Sequence, residues 1–419
     1  MKVLGLSCSP RGGTIKGERL SSIIKQCKYN DEITRTIYDL GNNKKICNSE
    51  ALLMSAMYGV TEEKVGFDIV HLNKTRCDEI DIDKYKGLIV ASPVYFGDRS
   101  SLAENFINTF QQKSNHSFSN KVVGVVSSGA KRNGGQETTI VYMLSDFLNR
   151  GAIIVGNGPP TAQYGGTGWG GNIGSIIDDD FGLKTSKGTG YQVAKLVKTI
   201  STSDISLDNQ IRILFLITKN SKDKVYANII KHLPFSDSVN LDICDITESK
   251  IKSCLACPIC PNGNIDEKYT CIIQNDDIAE IHNRITSADC IVISSYDGSS
   301  LQTKDVFQSF IERTRFIRRN HFELSNKLFS YFGYTNSILD IKPFRIMSSF
   351  LRHNMFSIGP YYVRLSDKFE TIKKQDYTKR LEKMTVLSKT YRSINNIDNE
   401  YTPVGYEDAG HEKEMAYRD

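Results

Sequence analysis

Short apolar runs alternate along the chain with longer amphipathic stretches. Residues 2–6 form one such run, which breaks into Ser7-Cys8-Ser9-Pro10-Arg11-Gly12-Gly13. Further runs stand at 87–91, stopping at Ser92-Pro93, and at 122–126, breaking at Ser127-Ser128-Gly129. Another at 152–155 runs into Gly156-Asn157-Gly158-Pro159-Pro160. Amphipathic stretches at 49–58, 102–110 and 137–149 lie between them. Runs that are apolar on both faces predict buried parallel strands, and the stretches between them predict the covering helices.

A helical stretch at 191–200 is followed by the polar residues 201–210, and a new strand pattern opens at 211–217. From there the pattern of the first half returns. Ala91-Ser92 matches Ser294-Ser295 after similar apolar runs, and Phe106-Ile107 matches Phe310-Ile311. Leu144-Ser-Asp-Phe147-Leu148 matches Met347-Ser-Ser-Phe350-Leu351, and Gly156 matches Gly359, at a common offset of 203 residues. The expectation is an α/β protein of two doubly wound parallel-sheet domains in tandem, diverged copies of one unit. Their predicted limits are 1–203 and 204–395. A charged closing helix is expected at 366–393 and a flexible tail at 396–419.

With 39% apolar and 24% charged residues over 419 positions, the chain is neither disordered nor fibrous. The 53 Lys+Arg against 48 Asp+Glu leave +5, too thin a surplus to argue for nucleic acid. No apolar run approaches the ~18 residues of a membrane span. The start Met1-Lys2-Val3-Leu4-Gly5-Leu6 turns polar too early for a secretory leader. A cytoplasmic location is therefore expected, with the ten cysteines as thiols or ligands rather than disulfides. Cys254, Cys257, Cys260 and Cys271 crowd into eighteen residues, whereas the other six are isolated.

The loops that end the predicted strands carry the candidate chemistry. In the first, Ser7, Ser9 and Thr14 supply hydroxyls, Arg11 a fixed cation, and Gly12-Gly13 a close backbone approach, which together suit a phosphate. An ordinary tight loop is the competing reading. No Gly-Lys-Ser/Thr and no Gly-x-Gly-x-x-Gly is present, so neither common nucleotide loop applies. The second loop, Ser92-Pro93-Val94-Tyr95-Phe96-Gly97, offers two aromatics as walls for a planar ring. The third, Ser127 to Glu137 with Gly134-Gly135-Gln136, opens a helix whose amides suit a ring carbonyl. In a doubly wound sheet, loops of this kind meet at the carboxyl edge where strand order reverses.

Residues 1–200 resemble the NADPH-dependent FMN reductase family and its iron–sulfur flavoprotein branch. The resemblance rests on Ser7-Cys-Ser-Pro-Arg11, on Ala91-Ser-Pro-Val-Tyr-Phe96 followed by Phe106-Ile107, on Gly134-Gly-Gln-Glu137, and on Tyr164-Gly-Gly-Thr-Gly-Trp-Gly-Gly171. It implies flavodoxin-like domains and an FMN-dependent oxidoreductase. NAD(P)H or a ferredoxin-type protein would be the donor, and a small molecule such as a quinone or flavin the acceptor. A non-enzymatic electron carrier between partner proteins is the alternative, and neither membrane nor nucleic acid is an expected partner. By this resemblance Ser7, Ser9 and Arg11 hold the FMN phosphate, and Pro93, Val94, Tyr95, Phe96, Ser127, Gly134 and Gly135 contact the ring or ribityl. The family pattern runs directly from the first loop into a helix. Here that helix start, Asn48-Ser49-Glu50, comes some thirty-five residues late, so 14–47 is an insertion beside the phosphate site. Asn48 and Ser49 are expected to cap the helix and face the phosphate. The relatives are homodimeric, so a pseudo-dimer within one chain, or a homodimer, is implied. The chemistry belongs to the cofactor, and no side chain is assigned as catalytic acid or base.

In the second half the first loop is Thr218-Lys219-Asn220-Ser221, Ser295-Tyr296-Asp297-Gly298 replaces Ser-Pro-Val-Tyr, and nothing matches Gly-Gly-Gln-Glu. One FMN per chain is therefore expected, in the first half. Tyr296 reads as a packed tyrosine, with reach to a flavin as the sharper alternative. Three cysteines at two-residue intervals and a fourth nearby suit a [4Fe–4S] cluster held by Cys254, Cys257, Cys260 and Cys271. Zinc, or thiols holding no metal, are the alternatives. The resemblance supports the cluster, since the branch carries its compact cysteine motif at this place in the fold. Trp169 lies in a glycine-rich loop, as a lid or a covering residue. Arg313, Arg315, Arg318 and Arg319 read as a solvated basic helix face, with an NADPH phosphate or an acidic partner as the alternative.

Overall fold

The computed structural model describes residues 1–113, 118–158, 161–202, 210–222, 224, 230–231, 233, 235–257, 260, 271–297, 303–319, 322–335, 341–363 and 381–389. The chain divides into two compact units, Met1–Thr202 and Ser203–Asp419.

In the first unit, β1 (Lys2–Ser7), β2 (Gly66–His71), β3 (Gly87–Pro93), β4 (Val122–Gly129) and β5 (Ile153–Ile154) pair in parallel. Their order is β2-β1-β3-β4-β5, and β6 (Gly166–Trp169) pairs with the far end of β4. This is the doubly wound order whose direction of winding reverses between the first and third strands. The edge strand β2 escapes the apolar-run reading because only alternate residues are inward. Phe67, Ile69 and His71 are buried while Gly66 is exposed. Glycines hide β6 in the same way.

The 14–47 stretch forms α1 (Gly17–Gln26) and α2 (Asn30–Asn42), each held by a narrow inward stripe: Leu20 and Ile24, then Ile33 and Ile37. The crossover helix α3 (Asn48–Glu62) follows and is buried from Ser49 to Val60. The remaining helices of this unit are α4 (Ser101–Lys113), α5 (Gln136–Asn149) and α6 (Asp180–Thr202). α6 begins well before residue 191. Gly182, Gly188 and Gly190 interrupt its apolar pattern, and buried Asp179 binds the Gly182 amide at 3.0 Å. Gly190 lets α6 run close against α3, whereas Gly182 and Gly188 meet Gly168 and Asn157. A Cβ at Gly190 would lie 1.7 Å from the Ala56 carbonyl oxygen.

In the second unit, β7 (Ile211–Lys219), β8 (Val239–Asp245), β9 (Cys290–Asp297), β10 (Leu328–Thr335) and β11 (Phe356–Ser357) stand in the order β8-β7-β9-β10-β11, with β12 (Tyr361–Val363) beside β10. This is the order of the first unit. Helices cover Ile278–Ser287, Phe307–Arg313, Arg315–Arg319 and Lys342–Leu351. Of the closing helix, 381–389 is helical; 366–380, 390–393 and the 396–419 tail lie outside the described residues. Among the described residues no helix is long and apolar enough to cross a membrane.

Two buried histidines make the second unit acid-sensitive. Burial, with Arg313 adding to it, pushes His282 from 6.5 down to about 3. Burial and Arg318 push His353 down to about 3 as well. Folded, both stay neutral; unfolded, each takes up a proton below about 6.5, so stability is level above that pH and falls below it. At ~1.4 kcal/mol per group per pH unit, the loss between about pH 7.5 and 5.5 should be roughly 2–3 kcal/mol. Urea unfolding at the two pH values measures it; unchanged stability would contradict the neutral, buried state.

Candidate functional site

Three loops of the first unit meet at the carboxyl edge of its sheet. The first leaves β1 at Ser7, whose hydroxyl is buried without a partner among the described residues. It turns tightly, with Ser9 Oγ accepting the Arg11 amide at 3.3 Å and Ser9 carbonyl accepting that of Gly12 at 3.1 Å. The Arg11 side chain stands exposed. Three residues that no motif marks hold this loop. Asn73, just past β2, donates to the carbonyls of Pro10 at 3.2 Å and Gly12 at 2.7 Å. Glu50, 1% exposed, accepts the Gly13 amide at 2.7 Å and the Cys47 amide at 2.9 Å. His71 Nδ1 lies 3.0 Å from the same carboxylate. Burial alone would push the Glu50 carboxyl up, but the bonds from His71, Cys47 and Gly13 hold it below its ordinary value. Glycine is required at 12, because a Cβ there would lie 2.7 Å from Glu50 Oε1 and 2.9 Å from Ser7 Oγ.

The second loop closes as a two-residue hairpin. Tyr95 N donates to Asp98 O at 2.8 Å and Asp98 N to Tyr95 O at 3.0 Å, with positive φ at Phe96 (51°) and Gly97 (79°). A phenylalanine in the left-handed region is held against its preference. Phe96 and Tyr95 are both exposed at this edge. Ser100 joins this loop to the first, donating from Oγ to Cys8 O at 2.6 Å and from N to Ser92 Oγ at 3.0 Å.

The third loop follows β4, within which the Ser127 hydroxyl is also buried without a partner among the described residues. Val94 N donates to Ser128 O at 2.9 Å, tying the second loop to the third. Gly135 opens α5 at φ 100°, and a Cβ there would lie 3.1 Å from Gly97 Cα. Backbone therefore meets backbone between the two loops. Gln136 Nε2 braces the turn, donating to Lys131 O at 2.8 Å and Gly168 O at 3.1 Å. Ser49 shares a 2.8 Å hydroxyl bond with Ser128. Thus Ser7, Ser9, Arg11, Ser49, Pro93, Val94, Tyr95, Phe96, Ser127, Gly134 and Gly135 lie on the loops and helix start of one edge. Asn48 stands at the same helix start, but its amide donates to Gly170 O at 2.8 Å and Asn172 O at 2.9 Å. Trp169 ends β6, with its backbone amide on Asp179 at 2.9 Å. A separate cleft of about 550 Å³ between α1 and β2, lined by Ser21, Lys25, Asp68 and Tyr85, contains none of these residues.

In the second unit charged and amide side chains pair with one another at the same edge, although the Ser295 hydroxyl is buried without a partner among the described residues. Lys219 pairs with Asp297, and Asn220 donates to Asp245 at 2.8 Å. Tyr296 is buried and stacked on Tyr334 with ring centroids 5.2 Å apart. Of the cysteines, Cys254, Cys257 and Cys271 are half-buried and Cys260 is buried. Cys254 Sγ accepts the Ala256 amide at 3.4 Å, with Ala256 at φ 51°, and Cys271 Sγ accepts Arg313 Nη2 at 3.6 Å. Among the described residues no three His, Cys, Asp or Glu side chains are grouped so as to hold a metal ion. Residues 258–259 and 261–270 lie outside those described. Arg313 corrects the reading of a solvated basic face: it is 2% exposed and turned into the cysteine segment.

Parallel sheets wound 2-1-3-4-5, with a loop-built site at the carboxyl edge, define a flavodoxin-type α/β protein. Residues 1–164 match the family model described as NADPH-dependent FMN reductase. An iron–sulfur flavoprotein of Methanocaldococcus jannaschii is 35% identical over 177 residues, 36% of this chain and 92% of the relative. A second, from Methanosarcina thermophila, is 25% identical over 203 residues, 48% of this chain and 97% of the relative. An NAD(P)H dehydrogenase (quinone) of Archaeoglobus fulgidus is 28% identical over 121 residues, 29% of this chain and 63% of the relative. The chain belongs to the NADPH-dependent FMN reductase family, in its iron–sulfur flavoprotein branch, and is a flavin-dependent oxidoreductase.

Proposed function

We propose that the first unit binds one FMN at its carboxyl edge, accepts electrons from NAD(P)H or a ferredoxin-type donor, and delivers them to a small acceptor such as a quinone or flavin. The observation that carries this reading is that Ser7, the last residue of β1, and Ser127, near the end of β4, have buried hydroxyls without a partner among the described residues, beside loops that are each tied to the second loop. Buried polar groups without partners are uncommon, and a ligand with phosphate and ribityl oxygens satisfies them. Ser7, Ser9, Ser49 and Arg11 would hold the phosphate, and Pro93, Val94, Tyr95, Phe96, Ser127, Gly134 and Gly135 the ribityl and ring. Bound there, FMN supplies the change from two-electron to one-electron transfer. The protein's part is to bind, orient and wall the ring.

Glu50 sets a negative charge under the phosphate loop, so Arg11 and the His71 partner of Glu50 matter for the local balance. Arg11→Ala should weaken FMN by roughly 1.5–3 kcal/mol, about ten- to a hundredfold in Kd. Quenching of flavin fluorescence on titration measures it; an unchanged Kd would remove Arg11 from the site.

The shared strand order and the offset of 203 residues support reading the units as diverged copies. Pairing at the second edge among Lys219, Asp297, Asn220 and Asp245 supports a single FMN per chain. Four thiols, two of them accepting N–H bonds at sulfur, fit in their chemistry a thiolate-held [4Fe–4S] cluster on Cys254, Cys257, Cys260 and Cys271. Such a cluster would supply one-electron exchange. Steady oxidation of NADH or NADPH with a quinone tests the activity. Reduction by a partner protein alone, with no nicotinamide turnover, would favour a carrier instead.

A further inference from the structure

We infer that Arg313 is the positioning residue of the cysteine segment, an inference that rests on the cluster reading above. Arg313 ends the helix Phe307–Arg313. Its guanidinium reaches both ends of the stretch that carries the four cysteines. Nη1 donates to Lys252 O at 2.9 Å, two residues before Cys254, and to Asp276 Oδ2 at 2.5 Å. Nη2 donates to Ile273 O at 3.3 Å and to Cys271 Sγ at 3.6 Å.

A buried cation persists only when paired and bonded, and here the pair is complete. The side chains of Arg313 and Asp276 are each 1% exposed. Asp276 in turn accepts the Lys252 amide at 3.1 Å, and Asp277 that of Lys250 at 2.7 Å. The two ends of the segment are thereby clipped together around one guanidinium. A lysine carries the charge but lacks the planar fork that meets four acceptors at once.

The contact with Cys271 has a positional consequence. A cationic N–H bond to the sulfur fixes where the Cys271 side chain stands at the end of the segment. Hydrogen bonds to ligand sulfurs also set the potential of the centre they hold. Arg313 Nε, equally buried, has no hydrogen-bond partner among the described residues.

The test uses the anaerobically prepared full chain, with Arg313→Lys, Arg313→Met, Asp276→Asn and Cys271→Ser. Three quantities are measured: iron and acid-labile sulfide per chain, the visible spectrum of the reduced and oxidised centre, and amide exchange over 250–257 and 271–277. Arg313→Lys should keep FMN, lose at least half the iron and alter the spectrum of what remains. Cys271→Ser should lose iron to a similar extent. Arg313→Met should speed exchange of the segment at least tenfold while β7 and β9 keep their protection. Asp276→Asn replaces it if that variant does not fold. Arg313 variants matching the wild type in iron, spectrum and exchange would overturn the role of Arg313, and full iron in Cys271→Ser would overturn the place of Cys271 in the cluster reading. A wild-type chain without iron and sulfide would instead overturn the cluster reading. Exchange would then decide Arg313 alone: tenfold faster sustains the clip, and unchanged refutes it.

Discussion

Gly12→Val is expected to weaken FMN binding about five- to 150-fold, the effect of the roughly 1–3 kcal/mol that overpacking costs. The new Cβ would lie 2.7 Å from Glu50 Oε1 and 2.9 Å from Ser7 Oγ. Neither neighbour can give way cheaply. Glu50 is fixed by two backbone amides and His71, and Ser7 is the last residue of a buried strand. The loop must therefore lift, taking its amides and Arg11 away from the phosphate position. Asp31→Asn, in the exposed first turn of α2 and outside the three loops, should leave affinity within twofold. Fluorescence titration of both variants separates the outcomes, and a Gly12→Val protein that binds FMN normally would show that the loop is not the phosphate site.

Gly190→Leu should destabilise the first unit by more than about 3 kcal/mol. A Cβ at 190 would stand 1.7 Å from a backbone oxygen of α3, and Gly59 meets Lys187 O from the other side at 2.1 Å. Backbone on both sides leaves no side chain to move aside, so the helices must separate and open the core between them. At roughly 2–4 °C per kcal/mol for a unit of this size, the Tm should fall by at least about 6 °C. Calorimetry on the purified variant measures this. A Tm unchanged by Gly190→Leu would mean that α3 and α6 do not pack through their glycines.

What could be read from the sequence follows the range of the interactions involved. β1, β3 and β4 are buried on both faces, so their runs are apolar without interruption, and the loops that end them carry recognisable serines and glycines. β2 and β6 are marked weakly, one by a half-polar edge and the other by glycines that pack closely. Glu50 and His71 looked like any helix and strand residues. They become a pair only because β2 lies beside β1 and α3 starts over it, a relation set by topology. Asn73 is read in the same way only after β2 is in place. Arg313 shows the reverse error. Beside Arg315, Arg318 and Arg319 it has the composition of a solvated face, and only a carboxylate thirty-seven positions away, Asp276, draws it inward. Local pattern finds the elements and their loops, whereas buried ion pairs depend on contacts distant in sequence.

The central claim is that one FMN occupies the carboxyl edge of the first unit. Acid release of the cofactor from the full-length protein, reconstituted with excess flavin and freed of unbound flavin, followed by chromatographic identification and counting, tests it most directly. The account predicts FMN, at one per chain. Two FMN per chain, FAD, or a protein that retains no flavin would contradict it.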